Sequence, residues 1–161
     1  MSMPSIVTTA MADDREPFDR FMALSAVLTG YDEASLHGTG CAEDYWRQLC
    51  RVLPADMASA VPSLEQNPRV DPDYVRPLLS SDDWGPVMRN IIRLWYLGIW
   101  HPLPESWRGR YGSSPFDVER VISARAYKEA LVWNAIGAHP MGAKQQGFGA
   151  WANLPPAPPE C

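Results

Sequence analysis

Lysine is nearly missing from this 161-residue chain: Lys128 and Lys144 are the only two, so its basic charge is carried by arginine. Cysteine is scarce as well, with Cys41, Cys50 and Cys161 the only three, too few for a disulfide framework. On one helix, Cys41 and Cys50 would stand about 13 Å apart, beyond the roughly 7 Å that a disulfide spans. Long hydrophobic runs are absent. The most apolar stretch, Leu94 to Trp100, falls far short of the roughly 18 residues that cross a membrane. Positive charge is in deficit, and a net charge of −5 argues against a dedicated nucleic-acid binder. Met1 to Asp14 hold neither a basic region nor a twin arginine, so no secretory or Tat-type signal is expected within this sequence.

Catalytic patterns are also wanting. His37, His101 and His139 have no metal-ligand spacing, and no cysteine pair makes a zinc knuckle. Gly38-Thr39-Gly40 does not continue into a dinucleotide-binding fingerprint and follows no strand. Asp13-Asp14 and Asp82-Asp83 are sequence neighbours that do not face one another across a substrate, and Ser113-Ser114 has no base nearby in sequence. The chain therefore reads as non-catalytic.

What is present in excess is proline, glycine and tryptophan, at 16, 11 and 7 residues. Their share exceeds the average but stays below the roughly 25–30% of Pro and Gly that marks low-complexity chains, so a folded core is expected. Proline is excluded from helix interiors, which leaves three windows for helices: Phe18–Leu53, Val87–His101 and Phe116–His139. In the first, Phe18, Phe21, Met22, Ser25 and Leu28 lie on one helical face. Pro17 suits the first turn and Gly30 the stop, which predicts a helix over about 17–29. After a turn around His37–Gly40, Tyr45, Trp46, Leu49, Val52 and Leu53 form a second amphipathic helix ended by Pro54. Met57 to Leu64 fits a short helix, and Asn67 to Leu79, with its Asn-Pro and Asp-Pro dipeptides, reads as a loop. Ser81-Asp82-Asp83 reads as the N-terminal cap of a helix whose face is Val87, Ile91, Leu94, Trp95 and Gly98. The third window is read as helices over 116–122 and 124–133, the latter with Tyr127, Ala130 and Leu131 on one face. No segment sustains a strand's alternation. The expected fold is all-α, a small irregular helical bundle with long Pro-rich connections and an extended C-terminal tail. Its divisions are a flexible N-terminus over 1–16, a helical domain over 17–136 and a tail over 137–161.

Charge divides along the chain. Residues 1–86 carry 6 basic and 14 acidic side chains, and residues 87–161 carry 8 and 5. The basic half could be an arginine-rich partner surface or an ordinary solvated face. From Ala130 to Pro159 the only charge is Lys144. Disordered tails are typically charged and poor in aromatics, whereas this one sets Trp133, Phe148, Trp151 and Leu154 among Gly and Pro. Such rings become stable when a surface buries them, either the chain's own bundle or another protein. The candidate partner anchors are Trp133, His139, Pro140, Phe148, Trp151 and Leu154.

Three blocks carry a resemblance: Phe21-Met22-Ala23-Leu24-Ser25-Ala26-Val27-Leu28-Thr29-Gly30, then Ile92-Arg93-Leu94-Trp95-Tyr96-Leu97-Gly98-Ile99, then Tyr127-Lys128-Glu129-Ala130-Leu131-Val132-Trp133 with the tail through Trp151. Together they resemble the small subunit of membrane-bound FAD-dependent sugar and polyol dehydrogenases, closest to the sorbitol dehydrogenase branch, over about residues 18–156. The resemblance implies a chain with no catalytic residue, metal or cofactor of its own. FAD belongs to a larger dehydrogenase subunit that the small subunit wraps, supporting its folding or export. Haem c belongs to a membrane-bound cytochrome c subunit. The complex would sit on the periplasmic face of the inner membrane, with neither nucleic acid nor a direct membrane span in this chain. Phe21, Leu24, Leu28, Gly30, Trp95, Tyr96, Gly98, Tyr127 and Leu131 are expected as family-motif or core positions. Many such subunits carry a twin-arginine signal, and this sequence departs from them there. Two other readings compete. One is a stand-alone helical enzyme or small-molecule binder with a Trp95, Trp100 and His101 pocket. The other is a cytosolic assembly chaperone.

Overall fold

The computed structural model of the chain describes residues 15–60 and 72–140, excepting the side chains of 72–74. Over these residues the fold is mostly helical. α1 spans Arg15–Thr29, α2 Glu33–Gly38, α3 Ala42–Val52 and α4 Ala55–Ser59. α5 spans Pro72–Ser80 and α6 Gly85–Leu97. A two-residue strand β1, Ile99–Trp100, leads to α7 at Glu105–Tyr111. Strand β2, Arg120–Val121, then precedes α8 at Ala124–Lys128 and α9 at Val132–Ala135.

The core forms because α1 and α6 turn their apolar faces toward one another. Phe21, Met22 and Leu24 of α1 are buried with Val87, Met88, Ile91, Leu94 and Trp95 of α6. α3 adds Tyr45, Leu49 and Val52. Rings dominate the contact: Phe21 stacks on Trp95 with centroids 6.4 Å apart, and Tyr45 meets Trp95 edge-on at 4.9 Å. Such ring pairs add roughly 0.5–1.5 kcal/mol beyond the area they bury.

Helix ends follow the local chemistry. The amide of Gly30 donates to Ala26 O, and that of Gly98 to Leu94 O, both at left-handed residues. Asp32 caps α2 by accepting from the Ser35 amide at 2.7 Å. Ser123 caps α8, accepting from Ala126 at 3.1 Å.

The structure corrects five sequence expectations, one being the helix read over 124–133, which breaks at 129–131 into α8 and α9. His37 lies within helix α2 rather than in a turn. Residues 72–79 are helical despite Pro77, because α5 packs beside α6 and Arg89 donates to Leu79 O at 3.0 Å. Ser81 does not cap α6. It closes the preceding turn, accepting from the amides of Asp83 and Trp84, and α6 starts after Trp84 without a side-chain cap. Residues 116–122 are a turn and a strand, not a helix. β1 and β2 pair antiparallel, Ile99 opposite Val121 and Trp100 opposite Arg120.

Asp117 anchors that segment. It is buried, and its carboxylate accepts from Trp100 Nε1 at 2.9 Å and from the Leu103 amide at 3.0 Å. Asn90 on α6 holds the same loop from the other side, donating to His101 O and accepting from the His101 amide. Among the described residues, no helix is long and apolar enough to cross a membrane.

Candidate functional site

The three blocks that carry the resemblance meet in space. Phe21 of the first stacks on Trp95 of the second. Tyr96 donates its hydroxyl proton to Thr29 O at 2.9 Å. The Leu131 amide of the third block donates to Trp95 O at 3.0 Å. Gly98 closes the arrangement: a Cβ there would lie 2.7 Å from the Ala126 carbonyl carbon and oxygen. These residues hold the domain together.

Phe21, Leu24, Trp95 and Leu131 are in the core as expected, and Leu28 and Tyr96 are half-buried against it. Gly30 is an exposed helix terminator. Tyr127 is a correction. It sits on the outer side of α8 with its ring exposed, because Ala126 is the residue of that helix that packs inward.

Trp133 is half-buried, donating Nε1 to Tyr127 O at 2.7 Å, and the two rings meet edge-on at 5.4 Å. Beyond it, the Ala138 amide donates to Trp133 O at 2.8 Å, His139 is half-buried and Pro140 is buried. Phe148, Trp151 and Leu154 lie outside the described residues.

Trp95 and Trp100, expected as a pocket wall in the competing reading, are 1% and 0% exposed. Neither ring is available to an open cleft. His101 is half-buried and sits 3.3 Å from the exposed Glu119 carboxylate. An open groove of about 900 Å³ lies elsewhere, between the start of α1 and the outer side of α3 and α4, with Phe18, Trp46 and Ala58 in its wall. A second, polar cleft of about 470 Å³ is lined by Ser81, Arg89 and Arg110 among others. Both of its arginines are already engaged: Arg89 with Leu79 O, Arg110 with the Asp83 carboxylate at 2.6 Å.

The perturbed titratable groups are scattered. Burial pushes the Tyr45 hydroxyl far above its usual value, with the Cys41 thiol beside it adding to the shift. Burial likewise raises the Cys41 thiol. Burial and then Tyr96 raise Tyr31, and a hydrogen bond to Asp83 raises Tyr111. The Ser35 backbone and side-chain donors lower Asp32. None of these residues lines either cavity. An acid–base pair needs its members within hydrogen-bond reach of one substrate, and these are not so placed. Cys41 is buried and Cys50 exposed, and neither is in a disulfide among the described residues. No group of three or more His, Cys, Asp or Glu there is arranged to hold a metal.

Sequence reasoning missed the exposed apolar side chains Leu97, Phe116, Val118, Val121 and Ile136. The density of Val and Phe between 116 and 121 was a signal, but assigning a helix there hid it. No protein-family model matches the chain, and no curated protein or solved structure is significantly similar to it.

Proposed function

We propose that this chain is the non-catalytic small subunit of a membrane-bound, FAD-dependent sugar or polyol dehydrogenase of the sorbitol type. Its role is to wrap and stabilise a separate flavoprotein and to aid its folding or export. FAD belongs to that larger subunit and haem c to a cytochrome c subunit, with the complex on the periplasmic face of the inner membrane. The observation that carries this reading is the meeting of the three resemblance blocks in one core, Phe21 on Trp95 and Leu131 hydrogen-bonded to Trp95 O. A catalytic constellation would converge on a cleft, whereas these residues make a scaffold. The charge-poor, ring-bearing sequence from Ala130 to Pro159 supports a role in gripping another protein.

The test is affinity purification of the tagged chain from its native host. The eluate is read for flavin and haem c absorbance and for dye reduction with sorbitol, fructose and glucose. Flavin together with sugar-dependent reduction is the expected result, and the best substrate names the polyol. A colourless 18 kDa protein without a partner overturns the proposal.

A stand-alone binder is the second reading. The groove at Phe18 and Trp46, rather than Trp95 and Trp100, is the feature that favours it. It expects a ligand-dependent rise in melting temperature that a Trp46→Ala variant loses.

A further inference from the structure

We draw no further inference here: the strongest candidate, the open groove between the start of α1 and the outer side of α3 and α4 where Phe18 and Trp46 lie, carries none, because nothing in the structure shows what covers it.

Discussion

Gly98 and Gly30 end the two helices that face one another across the core, and both have left-handed backbones, φ 69° and 77°. They differ in surroundings. Nothing lies within 4 Å of a Cβ built on Gly30, whereas one on Gly98 meets Ala126 backbone at 2.7 Å. Gly30→Ala should therefore cost only the left-handed strain, roughly 1 kcal/mol. Gly98→Ala should cost clearly more, about 2 kcal/mol or above, because α8 must also move. Paired denaturant titrations check the order, and equal losses would contradict the close approach. Titration also speaks at this scale. Cys41 and Tyr45 have ordinary values of 9.0 and 10.0, and both are raised in the fold by burial. The unfolded chain loses these protons first, so their contribution is whole below about pH 9 and declines as pH rises beyond it. Melting temperature should fall from pH 9 to 11, and Tyr45→Phe should flatten that fall.

The segment from β1 to β2 depends on a single carboxylate. Removing it in Asp117→Ala leaves Trp100 Nε1 and the Leu103 amide buried without an acceptor. The expected loss is at least about 2 kcal/mol, since each orphaned donor costs roughly 1–3 kcal/mol. Chemical denaturation with tryptophan fluorescence reads it directly, and Asp117→Asn, which keeps one acceptor oxygen, should lose less. This same segment shows where sequence runs short. α1 and α6 were legible because Phe21, Leu24, Val87, Ile91 and Leu94 repeat at helical spacing and face a shared interior. The ribbon was not. Two paired residues have no period, and the Asp117 contacts join positions 14 and 17 residues apart. α5 failed for another reason: Pro72 and Pro77 signal a loop locally, and packing against α6 outweighs that preference. The aromatic core could be named from spacing, but the exposure of Val118, Val121 and Ile136 could not, since no period marks it.

At the scale of the molecule, the tail and Trp133 near its root make separable predictions. A chain truncated after Pro140 should keep its melting temperature while losing most of its co-purified flavin; full retention of flavin would remove the tail from the contact. Trp133→Ala should lower both the co-purified flavin and the stability of the fold, the latter modestly, by about 1–2 kcal/mol, through its lost hydrogen bond and ring contact. The burial of Pro140 gives the tail a fixed root. If the chain grips a partner as proposed, Trp133 in the domain and the rings at 148 and 151 are two holds on one chain, and the complex is bivalent. Once one contact forms, the other meets its target at an effective concentration of the order of millimolar, so two individually weak grips yield one slow-dissociating complex. Severing either should accelerate dissociation far more than it slows capture.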